Sequence, residues 1–188
     1  FILLWSSAFI TTKPIVDNSD PFAALAFRFF FVALGFYFFS FYLNQSLITN
    51  KRKIAEAVLS GVLFHGFYLG GVFYSISIGM PVGIAALIVT LQPVLTNILS
   101  GPILDEKITT QQWIGVLLGF TGASLVLGLD IGSGIPLLGL IATIIALLSI
   151  TISTIWQKKI SKNLSLSVSN FYQASGGCLF HVLIVIFF

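Results

Sequence analysis

Seven apolar runs, most of them about as long as a bilayer is thick, fill this chain. They cover roughly residues 1–16, 22–43, 54–79, 82–104, 110–128, 135–156 and 166–188, with short polar links between them. A helix that crosses the hydrocarbon core needs about 20 mainly apolar residues. A membrane barrel strand needs only about ten, in strict alternation, and alternation is absent here. Only 8% of the residues are charged and 57% are hydrophobic, with a mean hydropathy of +1.05. A water-soluble domain carries about a quarter charged residues. The solvent for this surface is therefore lipid, and the expected fold is an all-α, polytopic helix bundle.

The same composition excludes several functions. A net charge of +3 without a polybasic tail does not suggest a nucleic-acid partner. The single cysteine, Cys178, permits neither an intrachain disulfide nor metal-ligand spacing. The six acidic residues are too dispersed for a calcium loop. No cofactor is expected. The opening run lacks a basic leader and a small-residue cleavage site, so it does not read as a signal peptide. It starts inside an apolar run and the chain stops inside another, which predicts a piece of a longer membrane protein.

The links sort by charge. Lys51, Arg52, Lys53, Lys107, Lys158, Lys159 and Lys162 fall in three alternate links, seven of the nine basic residues. The intervening links carry Asp17, Asp20 and Asp130, with Lys13 nearby. Basic links stay in the cytoplasm, so the first span is expected to run outward, in a bacterial inner membrane.

An internal repeat is faintly visible. At an offset of 145 residues, Lys13 meets Lys158, Asn18 meets Asn163, Phe27 meets Tyr172 and Arg28 meets Gln173. A sixth span that repeats the first after five helices must be inverted. The acidic outer link at Asp17 then becomes a basic inner link at Lys162, as the charges require. Inverted repeats are a recurring build of secondary transporters.

The segment "LLWSSAFITTKPIVDNSDPFAALAFRFF" resembles the opening of the EamA-domain transporters of the drug/metabolite transporter superfamily. Trp5, Ser7, Phe9, Lys13, Pro21 and Arg28 match that pattern, and Ser6 replaces the usual Gly. In "ALIVTLQPVLTNILSGPILDEKITTQQWIGVLLGFTGASLVLG", Pro93, Glu106, Thr109, Gln112, Trp113, Gly115 and Gly122 match the fourth and fifth helices. The resemblance implies two inverted five-helix repeats, with seven spans of ten present here. Residues 1–128 would form the first repeat and 135–188 the start of the second. It also implies export or uptake of small metabolites; the expected function is a secondary transporter working by alternating access, with export favoured over uptake, and no enzyme activity.

Arg28 is the leading site candidate. It lies seven residues into span two, roughly 10 Å below its outer end at 1.5 Å per residue. A charge in the membrane costs about 2.5–3.5 kcal/mol on insertion scales and usually faces a polar interior. It either anchors a substrate carboxylate or phosphate, which Arg binds bidentately, or locks to a helix end, Asp17 or Asp20. Lys13 either snorkels to the interface, paired with Asp17, or joins Arg28 in an electropositive vestibule. The resemblance adds Trp5 and Ser7 to these candidates. In span four, Gly83, Ala86, Thr90, Pro93, Asn97 and Gly101 share one helix face, with Gln92 adjacent. Pro93 frees the carbonyl of Val89 near the midplane, and broken helices there often bind substrate; a plain kink is the alternative. In span three, His65, Tyr68, Val72 and Ser75 share a face, and Gly66 and Gly70 are spaced for close packing. His65 serves proton coupling or hydrogen-bonded structure. Gln173 mirrors Arg28 in the second copy. Thr109 and Gln112 read as a capping box, so Glu106 belongs to a helix start. Gly115, Gly119 and Gly122 form a packing face, within the chain or between two protomers of a possible homodimer.

No carboxylate sits mid-span, which disfavours cationic drugs. The fixed interior charges are positive, so the expected cargo is neutral, zwitterionic or anionic, such as an amino acid. The rival readings are a membrane scaffold or receptor subunit without transport, and a membrane-embedded enzyme. The enzyme needs paired acids or a His–Asp set, and His65 and His181 stand apart from any acid. The partners expected are a small-molecule substrate and the lipid bilayer.

Overall fold

A computed structural model of the chain describes residues 2–47, 50–104, 109–129, 134–160 and 165–187. Each of the seven apolar runs is a helical rod. The first is α1, Ile2–Asn18, and the second α2, Pro21–Tyr42. The third rod is composite: α3, Lys51–Gly61, passes through a π-helical stretch at Val62–Leu69 into α4, Gly70–Ser77. The fourth is broken into α5, Val82–Val89, and α6, Gln92–Leu104. Then come α7, Thr110–Leu129, α8, Leu137–Ile160, and α9, Leu166–Phe187. No strand occurs among the described residues.

Five of the rods are long and apolar enough to cross a membrane: Pro21–Tyr42, Lys51–Ser77, Val82–Gly101, Leu137–Lys159 and Leu166–Phe187. The first rod has 17 described residues, at the lower edge of the range for a span.

Local chemistry sets the helix starts. Asp20 accepts from the Ala23 N–H at 2.8 Å, and Pro21 follows at the first helical position, where its missing N–H costs nothing. Asn50 caps α3 by accepting from the N–H groups of Arg52 and Lys53. At α7 both halves of the Thr109–Gln112 capping box form: the Thr109 N–H reaches Gln112 Oε1 at 2.7 Å, and the Gln112 N–H reaches Thr109 Oγ1 at 3.3 Å. Residues Asp105, Glu106 and Lys107 lie outside the described residues. The turn before α5 passes through Gly79, whose φ of +98° suits glycine.

Apart from Arg28, helix α2 is almost wholly apolar, yet it buries only Leu25, Phe29, Ala33 and Ser40. Phe27, Phe30, Phe31, Phe38 and Phe39 face outward. Such a surface is stable only against lipid or another apolar element.

Glycines bring the third rod and α9 into close backbone contact. A Cβ on Gly61 would sit 2.0 Å from the carbonyl oxygen of Gln173, and one on Gly176 2.6 Å from that of Val58. A Cβ on Gly177 would meet His65 Cβ at 2.5 Å. Small residues let membrane helices approach this closely and gain dispersion contacts where no hydrophobic force acts. Gly66 and Gly70, expected to pack closely, do so against Phe180 and His181 of α9.

A second link is polar. Ser153 Oγ donates to the Ser60 carbonyl at 3.0 Å and lies 3.2 Å from Ser60 Oγ. Both serines are fully buried. This contact joins α3 to α8 and puts Lys51–Lys53 and Lys158–Lys159 at one end of the bundle.

Candidate functional site

A cavity of about 630 Å³ opens between the rods. That is within the range of small-molecule sites, about 300–1,000 Å³. Helix α1 contributes Ala8, Phe9 and Thr12, and α2 contributes Arg28. The third rod adds Phe64, Tyr68, Leu69, Val72 and Phe73. Gln92 and Pro93 enter from the start of α6, and Ile150 and Thr154 from α8. The wall is mainly apolar, with one cation and a few polar groups.

Arg28 is exposed to this space. Both carboxylates considered as its lock are engaged elsewhere. Asp17 pairs with Lys13, and Asp20 caps α2. Among the described residues Arg28 has no ion pair; its guanidinium carbon lies 5.7 Å from the centre of the Phe29 ring. A cation–π contact of this kind steadies the side chain without consuming its hydrogen-bond donors.

The break in the fourth rod brings Gln92 and Pro93 to the cavity. Helix α5 ends at Val89, and the N–H groups of Thr90 and Leu91 close the last turn on Ala86 and Ile88. Pro93, second in α6, has no N–H to offer the carbonyl of Val89. The next helix therefore starts afresh, with the Leu95 N–H on the Leu91 carbonyl. Gln92 Nε2 donates to Thr96 Oγ1 at 3.1 Å and to Thr154 Oγ1 at 3.2 Å.

Arg28, Tyr68, Gln92 and Pro93 thus meet at one cavity. The other candidates lie elsewhere. Lys13 forms an exposed i,i+4 pair with Asp17 on the surface of α1. Ser7 is exposed on α1, and its carbonyl accepts from Thr11 at 3.0 Å. Trp5 belongs to α1, but its side chain lies outside the described ones. Thr90 is exposed and donates to its own helix at Leu87. Asn97 is half-buried further along α6.

His65 turns into an aromatic cluster, its ring 4.4 Å from Phe29 and 5.1 Å from Phe64. Fully buried His181 donates through Nε2 to the His65 carbonyl at 2.9 Å. The wide π-helical turn explains why His65 and Tyr68 part company. An α-helical period puts them on one face, whereas i→i+5 bonding shifts the phase between them. Gln173 is buried in a neutral network: it accepts from Gln157 Nε2 at 3.0 Å and donates to Ser169 at 2.9 Å.

The lining residues that sequence reasoning passed over include Phe64, Phe73 and Thr154. Thr154 had a signal, because "SITIST" places four hydroxyls, Ser149, Thr151, Ser153 and Thr154, in an otherwise apolar rod. Among the described residues, no three His, Cys, Asp or Glu side chains group as a metal site requires.

The lipid-facing rods, with a mainly apolar cavity between them, define an all-α, multi-pass membrane protein. Residues 1–128 match the EamA-like transporter family, and the chain belongs to it. The chain is 25% identical to a probable amino-acid metabolite efflux pump of Salmonella typhimurium, over 86% of this chain and 52% of that protein. It is 26% identical to a protein of the same description in Escherichia coli, over 85% of this chain and 51% of that one. It is 29% identical to the uncharacterized transporter YvbV of Bacillus subtilis, over 56% of this chain and 33% of that protein. The chain thus spans a third to about half the length of these relatives. No solved structure matches it. Family and relatives indicate a membrane transporter rather than an enzyme.

Proposed function

We propose that this chain forms part of a secondary transporter that exports a small neutral, zwitterionic or anionic metabolite, such as an amino acid, by alternating access. The observation that carries the reading is the meeting of Arg28, Tyr68, Gln92 and Pro93 at one cavity beside a broken helix. Arg28 supplies a cation without a carboxylate partner among the described residues, suited to an anionic group on the cargo. The apolar walls from Phe9, Phe64, Val72 and Ile150 suit its organic body. The likeness to probable amino-acid metabolite efflux pumps of Salmonella typhimurium and Escherichia coli favours amino-acid-like cargo and export.

We further read 135–188 as the start of an inverted second repeat. The packing of α9 against α2, the pair such a repeat would relate, supports it. The shared end for Lys51–Lys53 and Lys158–Lys159 supports a cytoplasmic face there, in a bacterial inner membrane.

The test is an uptake and efflux screen of the intact protein against amino acids, nucleosides and organic acids. Arg28→Ala is run beside Phe27→Ala, a change at a lipid-facing ring 69% exposed. One solute class should move, Arg28→Ala should abolish that movement at normal membrane levels, and Phe27→Ala should leave it intact. Normal transport by Arg28→Ala would refute the assignment.

A further inference from the structure

Resting on the site just proposed, we propose that Thr154, with Thr96, is a positioning residue. It turns the Gln92 side-chain carbonyl toward the cavity, so that the site selects ligands carrying a hydrogen-bond donor. The available protons fix the orientation of the amide. A threonine hydroxyl has one proton to give, and Thr154 Oγ1 gives it to the carbonyl of Ile150 at 2.7 Å. Toward Gln92 it can therefore only accept. The two ends of a carboxamide look alike to packing, and its orientation follows from the hydrogen-bond network. Here the network requires the NH₂ end to face Thr154. Thr96 Oγ1, 3.1 Å from the same nitrogen, takes the second amide proton.

Both donors of Gln92 are thereby spent inside the protein. Its Oε1 has no hydrogen-bond partner among the described residues, on a side chain that lines the cavity. Arg28 offers only donors. The cavity thus presents a cationic donor from α2 and a neutral acceptor from α6. A ligand with an acceptor at one end and a donor, such as an ammonium, at the other satisfies both. A ligand without the donor leaves a desolvated carbonyl unpaired, and sites built to pair a polar group reject analogues that lack it.

Thr154 also gives α8 a specific reason to bear on selectivity. Its neighbour Ser153 faces Ser60, on another side of the rod. Thr154 alone, of these two, touches the cavity.

The test uses the intact protein in detergent and measures binding of each of the twenty amino acids beside its matched carboxylic acid lacking the amine. The best-bound amino acid should bind at least about tenfold tighter than its deaminated partner, the size of effect left by one unpaired buried acceptor. Thr154→Val, which keeps shape but removes the accepting oxygen, should bring that ratio within about threefold. Thr154→Ser should restore it, and Thr96→Val, releasing the other proton, should lower it if Thr154→Val expresses poorly. A wild-type ratio near one, or a ratio unmoved by Thr154→Val, overturns the inference. If the ratio is flat while Arg28→Ala still abolishes binding, the inference falls and the transport reading stands. If no compound of this panel binds the wild type, the inference falls, and the uptake and efflux screen alone decides the transport reading.

Discussion

The seam between α3 and α9 makes Gly61→Ala a quantitative test of the packing. The new methyl carbon would lie 2.0 Å from the Gln173 carbonyl oxygen and 2.5 Å from its Cα. Carbon and oxygen approach no closer than about 3.3 Å even in favourable weak contacts. The two backbones must therefore separate by about 1.3 Å, and close-packed interiors do not yield that freely. Overpacking of this kind typically costs about 1–3 kcal/mol. The obstacle is backbone, with no rotamer to swing aside, which argues for the upper part of that range. Separation also pulls on two polar links nearby, Gln157 to Gln173 and Ser153 to Ser60. Against this, alanine gains roughly 1 kcal/mol over glycine in a helix interior. Gly35→Ala isolates that gain, because nothing lies within 4 Å of its Cβ position. Thermal melts of the intact protein in mild detergent, followed by circular dichroism, compare the two. At about 2–4 °C per kcal/mol for a chain of this size, Gly61→Ala should melt several degrees below wild type. Gly35→Ala should match or exceed wild type. A Gly61→Ala protein that melts at the wild-type temperature would refute the seam as described.

Two further outcomes follow from the site and its surroundings. Pro93→Ala restores an N–H that can reach the Val89 carbonyl and should straighten the fourth rod, slowing transport several-fold while helicity by circular dichroism stays equal or rises; transport at the wild-type rate would count against a working break. Lys13→Met removes one partner of an exposed i,i+4 pair, of a kind worth about 0.3–0.5 kcal/mol. Its melt and its transport rate should both stay near wild type, and a loss of transport would return Lys13 to the site.

The rods were readable because their cause is local. Twenty apolar residues between polar links form a helix in lipid whatever their neighbours are, since every backbone group must be satisfied within the segment. The break just before Pro93, at Thr90–Leu91, was readable for the same reason: a proline lacks an N–H in any context. Arg28 stood out because a charge in an apolar run needs an interior. Thr154 was harder. Threonines in these rods commonly bond back to their own helix, as Thr12, Thr143 and Thr151 do, so a hydroxyl in the sequence does not reveal which of them also meets a partner. His65 was assigned to the face of Tyr68 by α-helical arithmetic, and the π-helical register from Val62 to Leu69 undid that arithmetic. Nothing in "VLFHGFYL" marks such a register, in a stretch against which both α8 and α9 pack.

That wide stretch has a consequence for how the chain tolerates changes in length. Adding or losing one residue in an ordinary α-helix rotates everything beyond it by about 100°. In the third rod, such a slip on the α3 side would carry Gly61 away from Gln173 and Val58 away from Gly176. Between Gly61 and Gly70 the outcome differs. An i→i+5 turn holds more residues than an α turn, so a chain one residue shorter there can tighten to i→i+4 bonding while α3 and α4 keep their faces. Residues 62–69 are thus the part of this membrane helix where a deletion is absorbed rather than propagated.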